Sequence, residues 1–339
     1  MMMKKYILFI IALLIIFKAQ APAVTKVGTT AAGFLAIDVG PRGTGLGSAY
    51  VSLANDATAM YWNPAGIARL DHFEATFCNT KWIADLLFNY AGVVLPLGNF
   101  GNLGLNATFL TMDPIERTTE FYPDGTGEFF DAGCSAFGIS YARNLTDRFL
   151  IGFNAKYINE RMYHCNAYGF ALDFGALFDT GIHGLTLGMS ITNYGTKMQL
   201  DGRDLQVQHD VSPGIYGNNP NINARLLTDR YDLPLMLRTG VSMDVLKGSN
   251  NNFILSVDAL HPSDDVEYIN IGGEYVLYNM FFLRAGYKEL FKNDSEQGLS
   301  FGGGIHYNLM GMTTFYFDYS FIDFGVFNGI HMFSVSLAL

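Results

Sequence analysis

Apolar and polar residues alternate with a period of two along most of this chain. In 148–161, Phe149, Ile151, Phe153, Ala155 and Tyr157 interleave with Arg148, Asn154, Lys156 and Glu160. In 166–179, Tyr168, Phe170, Leu172, Phe174 and Phe178 oppose Gly169, Asp173 and Gly175. In 311–323, Thr313, Phe315, Phe317, Tyr319 and Phe321 oppose Tyr316, Asp318 and Ser320. That period puts one residue set on each face of a β-strand. The pattern predicts fourteen strands, at about 72–80, 85–97, 101–113, 133–143, 148–161, 166–179, 184–195, 234–246, 252–262, 267–278, 280–290, 297–309, 311–323 and 329–339. An antiparallel barrel whose first strand closes on its last, with both ends on one side, needs an even number.

Just ahead of the strands, Asn55–Ala68 (NDATAMYWNPAGIA) departs from the alternation. It predicts a short helix from Asp56 to about Tyr61, with Asp56 as N-cap. Asn63-Pro64 breaks that helix, because a residue before proline is pushed out of the helical region. Pro64 then opens a second turn over Ala65–Ala68, where its missing N–H costs nothing. Such a knot lies against, or inside, the β-structure C-terminal to it. The plainer alternative is a cap packed on a soluble β-sandwich.

Composition bears on both readings without deciding between them. Of 339 residues, 50% are hydrophobic, 14% aromatic and only 15% charged, against about a quarter charged in soluble domains. Beyond the N-terminus no run reaches the roughly 20 apolar residues of a spanning helix. High apolar content without such runs fits strands with one face in lipid. The first 23 residues read as a secretory signal: Lys4 and Lys5, an apolar core over Tyr6–Phe17, then Ala19-Gln-Ala21 or Ala21-Pro-Ala23 as the cleavage site. The expected organisation is therefore a signal peptide at 1–23, a hatch segment at 24–70 and an outer-membrane barrel over 71–339, in a Gram-negative-type cell.

The polar strand face collects Lys156, Glu160, Asp173, Arg238, Asp258, Glu274, Arg284, Lys288, His306 and Asp318 as lumen-facing candidates. Both signs occur in similar numbers. An ion pore shows one dominant sign, so the mixture suggests paired charges around a plug. Pro96–Gly101, Asn144–Asp147 and Asn308–Gly311 suit short periplasmic turns. Pro114–Ala132 and the irregular stretch 196–233 belong on the outer rim, and a loop as long as 196–233 is a candidate partner surface.

Other chemistry is thinly supported. A net charge of −10 excludes a nucleic-acid footprint. Cys78, Cys134 and Cys165 are too few and scattered for a disulfide framework or a zinc site, and no cofactor or metal motif is present. Gly43-Thr-Gly45-Leu-Gly47 has the wrong spacing for a dinucleotide fingerprint; close backbone packing of the hatch against the wall explains it better. No nucleophile elbow accompanies the scattered histidines, and His331 and Ser334 fall on opposite faces of one strand. An enzyme is not expected. Trp62, Trp82, Phe88, Tyr90, Phe100, Phe109, Phe121, Tyr122, Phe129 and Phe130 are placed as interface-girdle candidates.

The pattern Asp56-Ala-x-Ala-x-x-Trp62-Asn63-Pro64-Ala65-Gly66 resembles the N-terminal hatch of FadL-type outer-membrane barrels. The run Gly40-Pro-Arg-Gly-Thr-Gly-Leu-Gly-Ser-Ala-Tyr-Val-Ser-Leu-Ala-Asn-Asp56 resembles the PorV/PorQ family within that superfamily. So do Asp265-Val-Glu267-Tyr-Ile-Asn-Ile-Gly-Gly-Glu274-Tyr, Leu283-Arg284-Ala-Gly-Tyr287-Lys288, Gly298-Leu-Ser-Phe-Gly302-Gly-Gly and the last strand. The resemblance covers about two thirds of residues 33–339, the 196–233 loop excepted. It implies a fourteen-stranded barrel, and a non-catalytic accessory of type IX-like protein secretion that meets secretion proteins or cargo through its outer loops. The alternative is a FadL-like passive importer of hydrophobic small molecules such as fatty acids. Import needs an apolar concavity with few polar groups, and the many inward charges favour the secretion reading.

Overall fold

A computed structural model describes residues 26–339, except 218, 220, 249, 293, 294, 310 and 328. The signal-peptide expectation for 1–23 lies outside the described residues. Fourteen antiparallel strands form the wall: β1 (Glu74–Lys81), β2 (Leu87–Pro96), β3 (Asn102–Thr111), β4 (Ala132–Thr146), β5 (Phe149–Met162), β6 (Cys165–Asp179), β7 (Thr186–Gly195), β8 (Met236–Lys247), β9 (Asn251–Pro262), β10 (Tyr268–Leu277), β11 (Phe281–Leu290), β12 (Leu299–Leu309), β13 (Thr313–Ile322) and β14 (Ile330–Ala338). Each pairs with the next in sequence. The ring closes where β1 meets β14, with Glu74 opposite Ala338 and Lys81 opposite His331. Strand ends fall within about three residues of those read from the alternation, because turn residues and the change of period mark them.

The apolar set points outward. Phe137, Ile139, Phe153, Phe170, Phe174, Leu283, Phe301, Phe317, Phe333 and Val335 are exposed to the surroundings of the barrel. Their strand neighbours Ser140, Asn154, Asp173, Arg238, Asp258, Glu274, Arg284 and Ser320 are buried. This inversion of a soluble protein, with apolar outside and polar inside, is stable only when hydrocarbon bathes the wall. A sandwich would bury Phe317 and Phe333 in a shared interior, and it does not form. Short turns gather at one end, around 97–101, 278–280 and the ends of the barrel at Phe73 and Leu339. Long connections 112–131 and 196–235 leave from the other end, which is the outer one.

Residues 31–70 fill the lumen. They comprise a 3₁₀ turn Gly33–Ala36, helix α1 (Pro41–Gly45), helix α2 (Ala59–Trp62) and a 3₁₀ turn Pro64–Arg69. Helix α2 is shorter than the sequence predicts. The Asp56 carboxylate accepts from Thr58 N at 2.9 Å and Thr58 Oγ1 at 2.5 Å, which closes a local turn instead of an N-cap. The helix therefore begins at Ala59. It ends at Asn63, whose Oδ1 accepts from Ala65 N at 3.2 Å and so starts the proline-led turn.

The girdle expectation needs correcting for four residues. Trp62, Phe88 and Tyr90 are buried inside the barrel and pack with hatch residues, and partly buried Trp82 packs on the same interior cluster, not at a membrane interface. Phe100, Phe121, Tyr122 and Phe129 are exposed near the strand ends or on the outer loops.

Candidate functional site

The site is the hatch, its seat in the wall and the space left at the outer mouth. Asn63-Pro64-Ala65 presses on β5 and β6 at two glycines. A Cβ on Gly152 would collide with Ala65 N, and one on Gly175 with Asn63 Oδ1. Across the lumen, Gly45 and Leu46–Gly47 lie on Gly302, Gly272 and Gly286 of β12, β10 and β11 with the same closeness. Backbone therefore meets backbone on opposite walls. Asn63 locks the first contact: its Nδ2 donates to Val51 O at 3.0 Å and to Ala176 O at 3.1 Å. Trp62 is fully buried over Gly43 and donates Nε1–H to Val39 O at 2.9 Å. Asp56, besides its own turn, accepts from Tyr50 Oη at 2.6 Å. Pro64, Ala65 and Gly66 are buried in the same seat.

The inward charges divide into groups. Glu274 accepts from Arg284 Nε at 2.7 Å and from Arg42 Nε and Nη2 of the hatch, both at 3.1 Å. Arg284 also donates to Asp318 Oδ1 at 2.5 Å, and His306 lies 4.0 Å from Asp318 Oδ2. On the opposite wall Lys156 pairs with Asp173 at 2.9 Å and bonds Asn193. Asp173 also accepts from Asn154 Nδ2 at 2.9 Å and from Asn193 N at 2.7 Å. Asn193 has φ 64, at the register shift between β6 and β7. Lys288 pairs with Asp38 of the hatch. Asp258 accepts from Val51 N at 2.9 Å. Arg238 donates to Thr192 Oγ1 at 3.0 Å and lies over the rings of Tyr61 and Trp62, at 5.3 and 5.7 Å. Glu160 is half-buried beside Cys134. Most of these charges thus answer one another or the hatch.

Sequence reasoning missed the hatch side of these pairs. Asp38, Arg42, Tyr50 and Tyr61 are as central as the wall residues they meet. A signal existed: Asp38, Arg42 and Asp56 are isolated charges in a stretch otherwise rich in Gly, Ala and apolar residues. Buried charges require partners.

Above the seat, an apolar pocket of about 380 Å³ lies at the outer mouth. Phe34, Ile37, Trp82, Leu110, Ile322, Phe324 and Met332 line it, with Asp38, Lys288 and Gln297 as its charged and amide members. Trp82 meets Phe324 edge-on at 5.4 Å between ring centroids. The other half of the mouth is covered by the roots of the 196–235 segment. Met198 is buried against Gly169, and Asp201–Gly202 adds a short strand to the outer end of β6. Ala31 N donates to Asp232 O at 2.9 Å, which ties a strap formed by residues 30–36 to that covering segment. A second concavity, edged by Phe137, Tyr157, Phe170 and Tyr194, lies on the lipid-facing side of β2–β7.

At the periplasmic end, His72 sits between two carboxylates. Its Nε2 is 3.5 Å from Glu74 and its Nδ1 2.8 Å from Asp71. Buried Glu74, despite the longer contact, does more than solvated Asp71 to hold the imidazolium, and together they raise its pKa from 6.5 to about 9.

No family model and no curated protein matches the sequence. Solved structures do. The monoaromatic hydrocarbon channel CymD aligns with a TM-score of 0.54 at 11% identity, over 88% of this chain and 97% of that one. The Ralstonia pickettii toluene transporter TbuX aligns at 0.51 and 11%, over 88% and 97%. A Pseudomonas aeruginosa FadL homologue aligns at 0.50 and 14%, over 93% and 99%. At such identities the likeness is one of fold: a fourteen-stranded, FadL-like outer-membrane β-barrel with small N-terminal helical segments.

Proposed function

We propose that this barrel is a passive channel that admits small hydrophobic molecules from outside the cell. The observation that carries the reading is the outer pocket, whose volume and mainly apolar lining suit a small ligand. The inward charges, which favoured a secretion role when seen only in sequence, do not argue against uptake. Most are consumed in holding the hatch, and the pocket wall is mainly apolar. The fold shared with a hydrocarbon channel and a toluene transporter supports the same reading. Straight passage is blocked by Leu46, Tyr50, Met60, Trp62 and Ile67, all fully buried, so transit requires the hatch, or the strap above it, to move. The test is uptake of labelled toluene by cells lacking their own channels and expressing this chain. Met332→Trp, which fills the pocket from the wall, is expected to lower the rate severalfold. Unchanged uptake in that variant, with the barrel intact, would count against the pocket as the entrance.

A second reading keeps the secretion accessory. It draws on the outer segment, where a hairpin of 206–209 with 222–225 carries exposed Ile215 and Tyr216. Deleting 206–225 would then abolish co-purification of secreted partners and leave toluene uptake unaffected.

A further inference from the structure

The walls of the outer pocket are mainly apolar, but one of its members has more hydrogen-bond donors than the protein pairs. Lys288 is almost buried, and its ammonium carries three N–H donors. Among the described residues Asp38 is its hydrogen-bond partner. The same Asp38 oxygen also accepts from Ser48 Oγ at 2.7 Å, and Tyr61 Oη stands 3.5 Å from the other oxygen. The pair is neutral as a unit, yet the ammonium keeps donor capacity in a pocket otherwise walled by Phe34, Trp82, Phe324 and Met332. The Gln297 carboxamide lines the same space.

An occupant must meet two requirements. It must be mostly apolar, to gain from the ring-lined wall. It must also present an acceptor, because seating a plain hydrocarbon strips water from Lys288 and returns nothing. A carboxylate would satisfy the ammonium but bring a net negative charge into a site whose own charges already cancel, at a desolvation cost that the pair does not offset. We propose that the pocket selects single-ring molecules bearing one uncharged hydrogen-bond acceptor, such as an aryl ketone, with Lys288 as the specificity-determining donor. This rests on the uptake reading above and names its substrate class.

The experiment is equilibrium dialysis of the full-length purified barrel against labelled acetophenone, ethylbenzene and benzoate. The pocket-filled Met332→Trp variant serves as the blank for micelle partition. Acetophenone is expected to bind about tenfold more tightly than ethylbenzene, the usual worth of a hydrogen bond to a charged donor after water is displaced. Benzoate is expected to bind no better than ethylbenzene. In Lys288→Met combined with Asp38→Leu, which leaves no carboxylate stranded and adds no N–H donor, the preference should vanish while ethylbenzene still binds. Equal affinities for ketone and hydrocarbon, tightest binding of benzoate, or a preference that survives the double variant would each overturn the assignment of Lys288 alone. Binding of none of the three above the blank would instead remove the uptake reading itself.

Discussion

Gly45 of the hatch and Gly302 of β12 face each other without side chains between them. A Cβ built on Gly45 would come to 3.0 Å from the Gly302 Cα, and one on Gly302 to 3.2 Å from the Gly45 Cα. The plug is seated on backbone at this wall, as it is at Gly152 and Gly175 on the other. Interlocking of this kind leaves little room for a partial shift, since packed interiors respond to even one added methylene.

Gly302→Val should therefore unseat α1. Overpacking at a tight contact costs about 1–3 kcal/mol, and the loss would show as a lower unfolding temperature together with ion leakage in planar bilayers. Gly303→Ala, one residue along, meets only Phe282 O at 3.8 Å and should change neither. Leakage from both variants alike would mean that the glycine contact is not what holds the hatch.

Arg284 joins Glu274 and Asp318 with its guanidinium shut off from solvent. Arg284→Met strands Asp318 and leaves Glu274 to Arg42 alone. Breaking a buried pair in this way costs about 3–5 kcal/mol, measurable by urea unfolding in detergent. Adding Asp318→Asn should recover a large part of it, because the stranded charge is the main penalty. No recovery would point to lost packing as the cause.

Asn63→Ala should cost about 1–3 kcal/mol for the carbonyls of Val51 and Ala176 that lose their donor. Asn63→Asp keeps the acceptor for Ala65 N but loses the same donor, so it should be no milder. Protease cleavage within 40–60, a stretch that is mostly buried in the folded barrel and so should resist it, is the more sensitive readout of a loosened hatch.

His72 predicts a pH effect at the periplasmic rim. Its folded-state pKa is raised to about 9 by Glu74 and, second among its partners, Asp71. A raised pKa stabilises the folded state while the imidazolium persists. The contribution is full below pH 6.5 and fades as pH climbs through about 9. Thermal unfolding between about pH 6 and 10 should show this loss, and His72→Gln should flatten the curve across that window.

Much of the wall was legible in the chain because its physics is local and periodic. Alternation as in Phe149–Glu160 needs no knowledge of the partner strand, and turn residues mark each end. The fourteen strands, their outward face and the broken helix at Asn63-Pro64 all arise from rules acting over a few residues. Helix α2 begins at Ala59 and not at Asp56 because two local rules compete there, and the Asp56–Thr58 turn prevails over the N-cap.

What the sequence determined alone is the cylinder and the segment that lies against it: the period, the strand number, and the closely spaced Gly43, Gly45 and Gly47 ahead of the strands. What only the tertiary structure decided is which charge meets which. Arg42 and Glu274 are 232 residues apart, and Asp38 and Lys288 are 250 apart. Coulombic attraction and hydrogen bonding act over a few ångströms of space, whereas the alternation that betrays a strand acts along the chain. Most of the inward charges thus fasten residues 31–70 to the wall, and the apolar pocket lies beside them.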